Sequence, residues 1–254
     1  MMHGYFPGTE QPGELTIPEG QRISGSAIGI LILKVGYPLV PGSMFNASTF
    51  DFPVLFHILE NSDAAKVLAA DPTQEALLIE GGRALQRQGV RAIVGSCGYF
   101  ANYQLNVAAA LDEPTFLSSL LQVPLLLRSM KPRQKLGVLC ASAPSLRQHT
   151  LRQCGVDDAS RLVIYGAEEL PEFQNILRKT GRLNSARLQD QLVERAIRLV
   201  QENADVGALL LECADMPPYA WAIHNATRLP VFDWTTMVNW VHNAVVRRPF
   251  AGFM

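Results

Sequence analysis

One pattern limits what this chain can fold into. Short apolar runs end on a turn, a helical stretch follows, and the cycle repeats along the sequence. Ile28–Leu33 is a continuous aliphatic run of the kind buried on both faces of a parallel sheet. Similar runs follow at 91–96, 122–127, 136–141, 161–165, 206–212 and 229–232. Between them lie segments with helical spacing or helix caps. Asp71-Pro72 opens one that runs to Gly89, and 98–111 follows the second run. A turn at Ser142–Ser145 leads into another that ends near Cys154. The clearest amphipathic stretch, 185–203, is followed by a shorter one at 217–227 and a last one capped by Asp233. Alternation of this kind predicts an α/β protein with mostly parallel sheets flanked by helices.

Two of the runs each deliver a cysteine to a turn. Ala92-Ile-Val-Gly-Ser-Cys97-Gly-Tyr99 and Ala208-Leu-Leu-Leu-Glu-Cys213-Ala-Asp215 share the order helix, strand, cysteine, helix. They stand nearly half of the 254-residue chain apart. No strict residue repeat links the halves, so the symmetry is one of organisation. It predicts two lobes related by a pseudo-twofold, with the site in the cleft between their strand ends.

The bulk properties narrow the function. With 18% charged residues and a net charge of −1, the chain has no basic footprint for nucleic acid or an anionic membrane. The early apolar run stops at Lys34, too short to span a bilayer, and no basic-then-apolar leader opens the sequence. A cytoplasmic protein is the expectation. Residues 1–26, rich in Gly, Pro and Glu, read as an extended lead-in. The cysteines Cys97, Cys140, Cys154 and Cys213 form no CxxC pair and have no histidine at zinc-ligand spacing, so no metal site is expected. No Walker loop, dinucleotide fingerprint or pyridoxal lysine motif is present, and no cofactor is expected.

Inverting a carbon stereocentre by proton transfer needs a base on one face and an acid on the other. Cysteine suits both roles, since a thiol with an ordinary pKa of about 8.5 needs only modest tuning. A thiol at a helix amino end has its pKa lowered by the backbone N–H groups, and both Cys97 and Cys213 precede an expected helix. A free cysteine is also among the residues most often buried as simple core filling. That reading suits Cys140 and Cys154, whereas the duplicated context favours a role for Cys97 and Cys213. His57, His149, His224 and His242 have no spacing to a nucleophile and read as packing or surface groups. Glu212 is expected to face away from the site if strand alternation continues through it. The segment holding Phe45, Phe50, Phe52 and Phe56 reads as a hydrophobic flap or dimer surface.

Gly95-Ser96-Cys97-Gly98 and Leu211-Glu-Cys213-Ala-Asp215, in this order and in a chain of this length, resemble the aspartate/glutamate racemase superfamily. That group holds amino-acid and hydantoin racemases, maleate isomerases and arylmalonate decarboxylases. The loop Gly36-Tyr37-Pro38-Leu-Val-Pro-Gly42 resembles the first loop of the decarboxylase and maleate isomerase branch. Ser142-Ala-Pro-Ser145 resembles the turn that helps hold the substrate carboxylate. The resemblance, from about Ile28 to Val246, implies a cofactor-independent racemase or isomerase acting beside a carboxylate or carbonyl. Cys97 and Cys213 would be the acid/base pair on an amino acid or related small acid. It further implies a homodimer, and a chain that crosses to a second lobe and returns: 1–128 plus 229–254 in the first lobe, 129–228 in the second.

Glutamate racemases follow the first cysteine with Asn-Thr and the second with Thr-His, whereas this chain has Gly98-Tyr99 and Ala214-Asp215. The replacement argues against glutamate as substrate. It leaves the backbone N–H groups of Gly98 and Ala214 as oxyanion donors, with Tyr37, Tyr99 or Asn102 supplying hydroxyl or amide contacts. Asp215 either orients an ammonium group or caps its helix. Ser96 completes the expected lining. Maleate-isomerase-like addition, decarboxylation, and non-catalytic binding of a small acid remain open on the same fold.

Overall fold

The computed structural model describes residues 16, 17 and 19–254, so most of the expected lead-in lies outside the described residues. The first lobe contains β1 (Ile28–Leu33), β2 (Val54–Leu59), α1 (Ala64–Ala69), α2 (Thr73–Arg87), β3 (Ala92–Gly95), α3 (Gln104–Ala110), β4 (Thr115–Phe116) and α4 (Val123–Ser129). The second contains β5 (Lys135–Cys140), α5 (Gln148–Gln153), β6 (Leu162–Gly166), α6 (Phe173–Leu177), α7 (Ser185–Glu202), β7 (Val206–Leu211), α8 (Ala220–Thr227) and β8 (Val231–Phe232). The last helix is α9 (Trp234–Val245).

Each lobe has a four-stranded, wholly parallel sheet, in the orders β2-β1-β3-β4 and β6-β5-β7-β8. The first strand of each lobe lies inside its sheet, and the third, which carries the cysteine turn, lies beside it. The two-lobed α/β fold expected from the alternation is therefore present. β1 shows why its run is apolar throughout. Leu31 and Leu33 face α2 and the main core, while Ile28, Ile30 and Ile32 face Trp234, Met237, Val238 and Val241 of α9. Burying one such side chain contributes about 1.5–3 kcal/mol.

Three expectations are corrected. Gln122–Leu127 is not a strand: 123–129 form α4, with Pro124 in the first turn and Val123 and Leu126 buried three positions apart. The 229–232 run does not return to the first lobe. β8 pairs with β7 in the second sheet, and only α9 crosses back to cover β1 and β3. The segment 98–111 is not one helix but a 3-10 helix over 98–103 followed by α3. In the phenylalanine-rich segment, Phe50 stacks on Phe52, and Phe52 stacks on His242 of α9. These rings therefore pack within the chain.

Candidate active site

Both cysteines leave the carboxyl ends of equivalent strands, β3 and β7, and both line one cavity of about 270 Å³ between the lobes. Of the residues expected at the site, Tyr37, Ser96, Cys97, Gly98, Tyr99, Ser142, Cys213, Ala214 and Asp215 line this cavity. Pro38 is exposed and outside the lining. Ser145 is also outside it and accounts for itself by accepting the Ser142 hydroxyl at 3.0 Å. Ser96 is a strut: its Oγ accepts the Leu33 N–H at 3.0 Å and ties the end of β3 to that of β1. Asn102 is structural too, donating to the Val67 carbonyl at 2.9 Å and accepting from Thr150 of α5 at 2.6 Å.

Tyr99 bridges the lobes. Its hydroxyl donates to the Ser142 carbonyl at 2.5 Å and accepts the Ser142 N–H at 3.0 Å. On the far side, the first-lobe loop is fastened to the Cys213 turn. Tyr37 donates to Asp215 Oδ2 at 2.5 Å, Ser43 donates to Asp215 Oδ1 at 2.9 Å, and the Met44 N–H meets the Ala214 carbonyl at 3.1 Å. Gly42 (φ +97°) passes so close to Pro218 that a Cβ there would lie 2.9 Å from its Cα. Asp215 is thus an interlobe anchor, not a helix cap.

Sequence reasoning missed the residue that most shapes the electrostatics. Glu212 is wholly buried and lines the cavity instead of facing away. β7 ends at Leu211, so Glu212 already belongs to the turn and strand alternation does not govern it. Its Oε2 accepts the Ala141 N–H at 2.9 Å, while Oε1 has no hydrogen-bond partner. The carboxylate occupies the space where residue 98 would begin its side chain, so only glycine fits there. A usable signal was the charged residue closing a fully apolar strand, since carboxylates are almost never buried without a reason. Glu168, Phe45, Phe173 and Lys179 also line the cavity and were not foreseen.

The expectation that helix amino ends lower both thiol pKa values is corrected. The Tyr99 and Phe100 amides do favour the Cys97 thiolate, but burial and then the Glu212 charge outweigh them and push Cys97 up to about 12. Burial, followed by the Asp215 and Glu212 charges, holds Cys213 well above the ordinary thiol range, against one favourable amide from Asp215. Burial also raises Glu212 to about 7, and Asp215 to about 6 despite the Tyr37 and Ser43 hydrogen bonds. The cavity therefore holds two neutral thiols beside buried carboxylates. A cation entering it would relieve the carboxylates and ease ionisation of a thiol.

His57, His149 and His224 are engaged within the chain. His57 packs on α2 near Gly81, His149 lies 3.3 Å from the Asn102 carbonyl, and His224 lies 2.7 Å from the Leu229 carbonyl. Among the described residues no helix is long and apolar enough to cross a membrane, and no cluster of three His, Cys, Asp or Glu side chains could hold a metal.

Two lobes, each a four-stranded parallel sheet flanked by helices, share the fold of the aspartate/glutamate racemases, as comparison with solved structures shows. The chain superimposes on allantoin racemase from Klebsiella pneumoniae with a TM-score of 0.59 at 16% identity, covering 90% of this chain and 96% of that one. A sulfate-associated glycine-to-cysteine mutant of arylmalonate decarboxylase gives 0.57 at 15% identity, covering 86% and 92%. A glutamate racemase from Bacillus anthracis gives 0.56 at 12% identity, covering 88% and 85%. In sequence the similarity points more narrowly. Dimethylsulfoniopropionate lyase 7 of Emiliania huxleyi is 29% identical over 236 residues, covering 89% of this chain and 69% of that protein. Lyase 5 of the same organism is 30% identical over 245 residues but is covered over only 47% of its length. A dimethylsulfoniopropionate lyase of Durusdinium is 24% identical over 242 residues, covering 91% of this chain and 79% of its own. Several of the lyases extend well beyond the matched region, and the chain spans 61% of two others. No protein-family model matches the chain.

Proposed function

We propose that this protein is a cofactor-independent lyase that takes a proton from the carbon next to a carboxylate and expels a leaving group from the neighbouring carbon. The observation that carries the reading is the cavity's charge. Two thiols face a space walled by Glu168, Glu212 and Asp215, against a single lysine, Lys179. Such a wall disfavours a substrate that is only an anion and favours one with a cationic end. A β-sulfonium acid such as dimethylsulfoniopropionate, the substrate named for the sequence relatives, has both ends.

The chemistry balances without a redox partner. A cysteine thiolate takes the α-proton, and the electron pair left behind forms the α–β double bond. The carbon–sulfur bond breaks with its pair on sulfur, so dimethyl sulfide leaves neutral and acrylate remains. The thiol then returns the proton to water. The sulfonium charge serves twice, lowering the pKa of the thiol on entry and making the leaving group neutral on exit. Cys97, with two amides on its sulfur side, is the better base, and Cys213 lines the same cavity from the other lobe. Phe45, Phe173 and Tyr37 supply aromatic surface suited to a methylated cation.

The equivalent placement of the two thiols favours a second reading, racemisation of a small acid by the same pair. Incubating the purified protein with dimethylsulfoniopropionate and measuring headspace dimethyl sulfide decides between them. Stoichiometric dimethyl sulfide and acrylate support the lyase. No release, combined with loss of optical rotation and solvent deuterium uptake by an enantiopure acid, supports the racemase.

A further inference from the structure

The three carboxylates around the cavity are not equivalent. Asp215 has both oxygens answered by hydroxyl groups of the first lobe. Glu168 is partly exposed and accepts the Ala143 N–H at 3.1 Å. Glu212 is wholly buried, forms no ion pair among the described residues, and its Oε1 has no hydrogen-bond partner among them. Lys179 is exposed and forms no ion pair among the described residues, so it leaves Glu212 unanswered. A buried carboxylate oxygen with nothing to neutralise it costs the empty protein stability, and persists where a ligand supplies the missing charge.

Gly98 gives the second observation. Where the resembling glutamate racemases place an asparagine, this chain has a glycine, and the space so freed is filled by Glu212 reaching over from the second lobe. The exchange replaces a neutral amide beside Cys97 with a negative charge. Glu212 also faces Tyr99, Cys140, Cys213 and, within its own turn, Asp215, and none of these is cationic.

We propose that Glu212 is the specificity-determining residue of this site, selecting substrates whose far end is cationic and rejecting neutral isosteres of the same shape. The proposal rests on the onium-acid reading above and names the residue responsible for it. Because Oε1 is covered by Gly98, Glu212 acts through the field it imposes across that wall. A charge about 6–12 Å away in a medium of effective dielectric about 20 discriminates by about tenfold to a hundredfold.

Two probes isolate the charge. β-Alanine betaine carries a trimethylammonium group beyond a propionate, with a poor leaving group. 4,4-Dimethylpentanoate has the same shape as the betaine with a neutral carbon in place of nitrogen. Calorimetric titration of the native protein should give at least tenfold tighter binding of the betaine. In Glu212→Gln that preference should collapse through loss of betaine affinity alone, 4,4-dimethylpentanoate binding as before or better. Glu212→Met, which removes the charge without leaving a buried amide unpaired, carries the same expectation if the glutamine variant does not fold. Equal weakening of both probes, or an unchanged preference, overturns the proposal. Titration needs no turnover, so the two readings fail separately. A preference lost in Glu212→Gln, in a protein that releases no dimethyl sulfide, sinks the lyase reading alone. Turnover with a preference unmoved by the substitution sinks this inference alone.

Discussion

The two cysteine turns are alike in backbone and unlike in charge. Each follows the third strand of a four-stranded parallel sheet and feeds a 3-10 segment. The Cys97 turn, Gly95-Ser96-Cys97-Gly98-Tyr99, carries no charge, and its neighbouring amides favour the thiolate. The Cys213 turn flanks its thiol with Glu212 and Asp215, and both carboxylates work on the other lobe. Glu212 lies against Gly98, and Asp215 holds Tyr37 and Ser43. One turn is shaped to receive and the other to reach across. A racemase needs two thiols of matched strength, because either must serve as base. An elimination needs one base, and tolerates the inequality seen here.

The largest effect should therefore separate the two thiols. Cys97→Ser should lower dimethyl sulfide release by about 10³-fold, within the range expected for loss of a positioned base. Cys213→Ser should lower it by about tenfold to a hundredfold, because its loss alters the shape and field of the site. Steady-state rates of the two variants on dimethylsulfoniopropionate measure the ratio. Equal losses of 10³-fold or more would restore the symmetric, two-base picture.

A smaller effect tests whether the turns are fitted to each other. Gly98→Ala drives a methyl group into the Glu212 carboxylate, and the side-chain carbons behind it lie close as well. The overlap should destabilise the fold by about 3 kcal/mol, at the upper end for inserting a methyl group into a packed interior. Glu212→Ala in the same chain should restore most of that loss. A double-mutant cycle by urea denaturation reads the coupling, which should exceed about 1 kcal/mol. Additive changes would mean that Gly98 and Glu212 are independent.

The architecture was legible because it rests on local pattern. Ile28–Leu33 is apolar at every position since helices cover both faces of β1, and Ser185–Glu202 shows its buried stripe at Leu188, Leu192, Ala196 and Leu199. What failed depended on information that a short window does not hold. The five apolar residues at 123–127 fit a strand or a helix equally well, and only the burial of Val123 and Leu126 beside an exposed Leu125 decides it. The pairing of Val231 and Phe232 with β7 is a choice between two sheets, which no local pattern records. That both cysteines leave equivalent strand ends and line one cavity was legible from their duplicated context. Glu212 was not, because its environment comes from Gly98 and Ala141, far away in sequence, and because the strand ends one residue before it.

The smallest effect concerns the stability that this asymmetry costs. Glu212 is held near 7 in the folded protein, against an ordinary value of 4.5, with burial as the leading cause. A carboxyl group whose folded pKa is raised binds its proton more tightly in the native state. Its penalty is absent below about 4.5, grows as pH rises from there to about 7, and is constant above that. The full penalty is about 3 kcal/mol by linkage. Glu212→Gln removes it, but an amide N–H₂ left without a partner takes back about 1–2 kcal/mol. The variant should thus be about 1–2 kcal/mol more stable than the native protein at pH 8, with the advantage gone or reversed near pH 4.5. Urea midpoints across that range measure it. The same substitution that strengthens the empty protein should weaken its grip on a cation, since in both cases the quantity that changes is the uncompensated charge on the Cys213 side of the cavity. If Glu212→Gln instead loses stability at every pH, the carboxylate has a partner in the folded protein, and the two turns are less unequal than their hydrogen bonds imply.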